Sequence, residues 1–362
     1  MIKARDIVRW LCGSLMAGGL LLPVGCTEEG SDAPKEKGSS LRLSSVTRTG
    51  ETRLSAGSVK LFVTTANDLY SSGGFSYTTV GEETGVSVKE DTQHYLYGFM
   101  PNLAVTSSLA MPDDNDYSSG ADLTLTGLPV FSSDDVCVIV GVRRIRDITD
   151  TETANVMAEE GNYGYFSGIS SENYVNLLVD HLYSQLILQF NVDKDYYALR
   201  RIKLKSVSLT STYGEMVNAK VMIRSGHGLR DAYVIYEKNT SGEAYDEHQL
   251  YSSSSADDEI LLPSDATGTA AATLGDDVVV NCAPITFDAD GTYLSITCTY
   301  DVYDVQDNNV YNKVRANCKA TNKIKLSGMG HGVKRTVTVT VAPTYLYVLS
   351  DDDLNNPTIK TK

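Results

Sequence analysis

Gln185-Leu186-Ile187-Leu188-Gln189-Phe190-Asn191-Val192 places Leu186, Leu188, Phe190 and Val192 on one face and Gln185, Gln189 and Asn191 on the other. A period of two belongs to a strand with one face in a core. The same period returns near the C-terminus, where Val337, Val339 and Val341 alternate with Thr336, Thr338 and Thr340 until Pro343 stops the strand. In residues 202–209 (IKLKSVSL) the apolar phase slips by one near Lys205, which a β-bulge would produce. Working outward, Val59, Leu61 and Val63 alternate about Phe62, residues 94–99 (HYLYGF) are extended up to Pro101, and residues 136–142 (VCVIVGV) are apolar on both faces. The last of these reads as a central, fully buried strand. Residues 292–303 and 310–319 flank the turn-rich Gln306-Asp307-Asn308-Asn309 and read as a hairpin. Long helical periodicity is scarce, with one short helix expected around Glu152 to Glu160. Tyr outnumbers Phe by 22 to 7, which suits half-exposed strands. The class is all-β.

The first forty residues read differently. Lys3, Arg5 and Arg9 precede an apolar run from Trp10 to Leu22. That run is about 13 residues, short of the roughly 20 needed to cross a bilayer. Small residues Val24 and Gly25 then lead into Cys26. This resembles a bacterial lipobox, in which the cysteine receives a diacylglycerol and becomes the first residue of the processed chain. The alternative is an ordinary secretory signal with an incidental cysteine, but the apolar run ends at Cys26 and a polar linker starts at once. Residues 1–25 are therefore expected to be a lipoprotein signal peptide and residues 26–40 a flexible tether. The tether lacks large apolar side chains. Glu28 and Glu29 resemble the acidic export signal of surface lipoproteins; a plainly solvated tether explains them as well.

The formal net charge is −15, and loss of Lys3, Arg5, Asp6 and Arg9 with the signal peptide takes it to −17. Such a chain is repelled by nucleic acid and by anionic lipid, so membrane attachment must come from acyl chains. The remaining length suggests two domains, 41–172 and 173–362. No zinc-protease, nucleophile-elbow or phosphate-loop motif is present, and His94, His181, His227, His248 and His331 have no metal or triad spacing. Asp288-Ala289-Asp290-Gly291 lacks the glutamate that a calcium loop requires and reads as a turn. The expectation is no enzyme, no metal and no cofactor. Symmetrical closure of the 306–309 turn sets Cys298 opposite residue 317, or 318 with one bulge. A Cys298–Cys318 disulfide and a pair of buried free thiols are then both open. Cys137, inside an apolar strand, reads as a packing residue.

Several segments together resemble one family. They are the lipobox, Ser45-Val46-Thr47-Arg48-Thr49, residues 179–186 (VDHLYSQL) and residues 343–351 (PTYLYVLSD). In order and spacing they resemble fimbrillin precursors, the subunits of type V pili in Gram-negative anaerobes. The resemblance implies two transthyretin-like β-sandwich domains and export to the outer membrane through a lipid anchor. It also implies a surface protease that cuts after arginine and removes the lipidated segment with its first strand. The groove left behind is filled by an extended segment of another fimbrial subunit. Carried onto this chain, Leu41, Leu43 and Val46 belong to the removable strand, and Arg48 or Arg53 is the cut site, with Arg42 a third choice. The donor is residues 344–362, through Tyr345, Tyr347 and Leu349. An uncut anchor or tip subunit is the nearest alternative. A surface glycan-binding lipoprotein is weaker, since the only Trp is Trp10, inside the signal peptide. A hydrolase with paired carboxylates ranks last.

Overall fold

The period-two segments form strands in the computed structural model, which describes residues 38–49, 54–78, 83–145, 158–169, 172–229, 232–239, 247–266, 270–274, 279–284, 292–306, 309–326, 329–342 and 358–361. In chain order the first strands are β1 (Gly38–Arg48), β2 (Gly57–Thr64), β3 (Leu69–Tyr77), β4 (Glu83–Lys89) and β5 (Gln93–Met100). Then come β6 (Thr106–Ala110), β7 (Gly120–Pro129), β8 (Phe131–Ser132), β9 (Cys137–Ile145), β10 (Gly164–Phe166) and β11 (Asn173–His181). After β12 (Ser184–Val192) and a single helical turn α1 (Lys194–Tyr197) follow β13 (Arg200–Ser211), β14 (Met216–Arg224), β15 (Tyr233–Lys238) and β16 (His248–Ser252). Short β17 (Ile260–Leu261), β18 (Ala272–Thr273) and β19 (Val279–Cys282) lead to β20 (Thr292–Gln306), β21 (Asn309–Leu326), β22 (Lys334–Ala342) and β23 (Thr358–Thr361). The chain is all-β. Of the helix expected around Glu152 to Glu160, residues 151–157 lie outside the described residues and 158–160 are not helical.

The largest sheet runs β3-β2-β5-β9-β11-β1-β4, with β10 paired to β5. It rolls until its two end strands meet, where Ser71 Oγ on β3 donates to the Ser87 carbonyl on β4 at 2.6 Å. Inside the roll lie Leu41, Leu43, Val59, Leu61, Val63, Val88, Leu96, Ile139, Val175 and Val179, all at most 1% exposed. Its outer face carries Phe62, Tyr97, Phe99, Val138 and Val140 into a second, larger core. Strand β9 is buried on both faces, as its continuous apolar run requires. Gly98 lets β2 come close, because a Cβ there would sit 2.1 Å from the Lys60 carbonyl oxygen.

The larger core is also lined by the other three sheets: β15-β14-β7-β6, β23-β22-β12-β19-β8 and β16-β13-β20-β21. Strands from either side of residue 172 share sheets, since β7 pairs with β14 and β8 with β19. Leu186, Leu188, Phe190 and Val192 are buried on β12, which runs parallel to β22 and its buried Val337, Val339 and Val341. The slip at Lys205 is a bulge: β13 pairs Leu204 with Tyr300 but Ser206 with Thr299.

The β20–β21 hairpin forms, with a corrected register. Three irregularities between the turn and Cys298 add residues to β21, so Cys298 faces Ala320 and Cys318 faces Tyr300. Both thiols are buried and free, and no disulfide joins them. A buried carboxylate organises the irregular stretch. Asp301, with its side chain 0% exposed, accepts from the Asn317 N–H at 2.7 Å, pairs with Lys313 and lies 3.7 Å from Lys205 Nζ. Burial alone would raise its pKa; Lys313, the Asn317 amide and Lys205 outweigh that and hold it below the ordinary carboxylate value. Asn317 takes the left-handed φ of 57° that this bulge needs.

Candidate functional site

Strand β1 starts at Gly38, within the stretch expected to be tether, because its backbone finds partners on both sides. Gly38, Ser39 and Ser40 pair antiparallel with Lys89, Val88 and Ser87, and Leu41 to Arg48 pair parallel with β11. The register slips between Leu43 and Ser45, so the inward residues are Leu41, Leu43 and Val46, none more than 1% exposed. Ser45 Oγ donates to Asn176 Oδ1 at 2.6 Å, and Thr84 Oγ1 donates to the Leu41 carbonyl at 2.9 Å. Arg42 pairs with Glu83 at 2.6 Å on the outside. Burying a Leu or Val side chain is worth about 1.5–3 kcal/mol. The three together contribute on the order of 5–9 kcal/mol, comparable to the whole net stability of an ordinary domain. Without β1, the roll has an apolar groove bordered by unpaired backbone groups of β4 and β11.

The C-terminal end of β1 meets a polar cluster. Asp135, just before β9, has its side chain 10% exposed, and its Oδ2 lies 3.4 Å from Arg48 Nη1 and 2.6 Å from His181 Nδ1. The Asp135 hydrogen bond raises the His181 pKa against the opposing effect of burial. Cys137 Sγ lies 3.7 Å from the Asp135 carbonyl and also meets Arg48. Burial pushes its thiol pKa upward. Carboxylate, thiol and imidazole donors all lie within 4.8 Å of one another. The sequence concealed this group. Asp135 and His181 are 46 positions apart, and only the β9–β11 pairing, which sets Cys137 opposite His181, brings the group together.

The other expected positions divide as follows. Arg48 is paired with Val179 at the end of β1, and the Thr49 N–H donates to the Val179 carbonyl at 2.8 Å. Leu54 N–H returns to the Val46 carbonyl at 2.9 Å. Arg53 lies between these two points, outside the described residues, as do Cys26, Tyr345, Tyr347 and Leu349. Within 344–362 the described part is β23, which adds antiparallel to β22 at the end of its sheet. A cleft of about 290 Å³ elsewhere is lined by Phe131, Met216, Glu215, Glu247 and His248, among others. Phe131 is 8% exposed and stacked by His248 at 5.4 Å, so its ring is not an open platform for a sugar.

No family model matches the chain, and no curated protein matches it. Among solved structures, it is similar to a fimbrial protein from Bacteroides vulgatus ATCC 8482, at 12% identity over 90% of this chain and 98% of that one, with a TM-score of 0.43. It is also similar to candidate cell adhesion proteins from Parabacteroides distasonis ATCC 8503 and Bacteroides uniformis ATCC 8492. The first has 10% identity over 90% of this chain and 95% of that one, TM-score 0.41. The second has 11% identity over 90% and 97%, TM-score 0.37.

Proposed function

We propose that this chain is a structural, non-enzymatic fimbrial subunit of the cell surface, exported as a lipoprotein and polymerised by strand exchange after its N-terminal segment is removed. The observation that carries the reading is the seat of β1. A strand close to the N-terminus is interior to its sheet, supplies three buried core side chains, ends at Arg48 and is followed five residues later by Arg53. Cutting after either arginine severs β1 from the rest of the chain. Arg48 is held in a strand ladder, and a protease needs accessible backbone, so a cut after Arg48 requires the end of β1 to open first. An incoming strand from another subunit would restore both the apolar contacts and the backbone hydrogen bonds. Such an interface is heterologous and does not close, so it builds a filament. Residues 344–362, including β23 at a sheet end, are the donor candidate.

The deciding measurement is the N-terminus of the surface-exposed form, together with its migration in SDS. Chains beginning at Thr49 or Leu54 that run as a resistant ladder support the reading. Lipidated Cys26 in monomers only would sink the stalk role and leave an uncut anchor or tip. Deletion of 344–362 tests the donor, and polymers that persist unchanged would remove that assignment.

A further inference from the structure

We propose that Asp135, Cys137 and His181 form a latent site for a thiophilic divalent cation such as Zn²⁺, which the Arg48 guanidinium closes in the uncut chain. Thiolate, imidazole and carboxylate are a zinc donor set, bound at about 2.3, 2.0–2.1 and 2.0–2.2 Å respectively. Donors already within 4.8 Å of one another need only small side-chain rotations to converge on one ion. A second observation points the same way. Asp135 Oδ1 is buried and has no hydrogen-bond partner among the described residues, although the side chain is only 10% exposed. A buried carboxylate oxygen left in this state is costly unless something cationic meets it.

In the uncut chain the nearby cation is Arg48, which reaches both Asp135 and Cys137. A guanidinium and a metal ion cannot share so small a volume, because two positive charges at about 4 Å repel by several kcal/mol at an effective dielectric near 20. Metal binding is therefore a substitution of one cation for another. The ion takes the Cys137 sulfur as thiolate, whose proton leaves to solvent, and the Nδ1 lone pair of His181 as neutral imidazole with its one proton on Nε2, and Asp135 supplies a carboxylate oxygen. A water completes the fourth position. Arg48 is the end residue of β1, so cutting after Arg48 or Arg53 removes the blocking charge along with the strand. That consequence rests on the processing proposed above; the site itself does not.

The test uses the uncut full-length chain and Co²⁺ as a spectroscopic stand-in for zinc. Arg48→Met and Arg48→Gln, which keep an unbranched stem and lose the charge, are expected to bind one Co²⁺ at least roughly 100-fold tighter than the parent. They should show thiolate-to-cobalt charge-transfer absorption, and excess Zn²⁺ should abolish it. Adding Cys137→Ser should remove the absorption, whereas Arg48→Lys, which keeps a cation, should bind no better than the parent. Absence of uptake by both neutral variants, or absorption that survives Cys137→Ser, would overturn the site. Because no cleavage is involved, a failure here is distinct from a failure of the fimbrial reading.

Discussion

His94 illustrates how a single buried side chain couples the roll to pH. It is 0% exposed, with Nδ1 3.2 Å from the Thr64 carbonyl and Nε2 3.1 Å from the Lys89 amide nitrogen, so it ties β5 to β2 and β4. Burial lowers its pKa below 6.5 despite the nearby carbonyls. The depressed folded value means that its contribution is fully present above 6.5 and is lost as the pH falls from there through the folded pKa. His94→Gln should therefore flatten the fall in Tm between about pH 7 and about pH 5. Parallel curves for parent and variant in a thermal scan would refute this. The burial of Leu186, Val339 and Ile139 was legible in sequence because period and composition encode it locally. The roles of His94 and Asp135 were not, since each depends on backbone or side chains brought in by strand pairing.

Among the elements, β1 carries the most specific signature. Its slip at Ser44 turns a simple alternation into Leu41, Leu43, Val46, with the extra residue on β1 opposite the consecutive Val175 and Asn176 of β11. Deleting Arg42, which alternates outward between two buried leucines, would set Leu41 next to Leu43 and force one of them onto the wrong face. A destabilisation of about 2–5 kcal/mol is expected, comparable to emptying a large core position. Urea unfolding of the uncut chain checks it, and an unchanged midpoint would show that the inward phase of β1 is not required. The bulge at Lys205 was legible because apolar residues on both sides mark the phase. Those of the β20–β21 hairpin were not: its polar, solvent-facing side records no phase, and Asp301 fixes the register through contacts that no local pattern displays. The resulting offset separates Cys298 from a position directly opposite Cys318.

At the scale of the molecule, alternating strands establish an all-β chain but not how its sheets share strands. That β7 finds β14 and β8 finds β19 depends on long-range pairing between segments that look equally suitable for other partners. The seat of β1 has a mechanical consequence. Parallel bonds to β11 and antiparallel bonds to β4 flank it, so tension on the residues before Gly38 pulls along the strand axis. The load then falls on both ladders at once, in shear, whereas a peeled strand loses its bonds one at a time. Single-molecule pulling from the N-terminal side should give a first rupture that frees β1 as a unit, at a higher force than when the pulling point is moved to residue 49. Equal forces from the two attachment points would refute it. A chain gripped in this way holds against a pull from its N-terminal side, yet one peptide-bond scission beyond Arg48 takes the core strand out of the line of force.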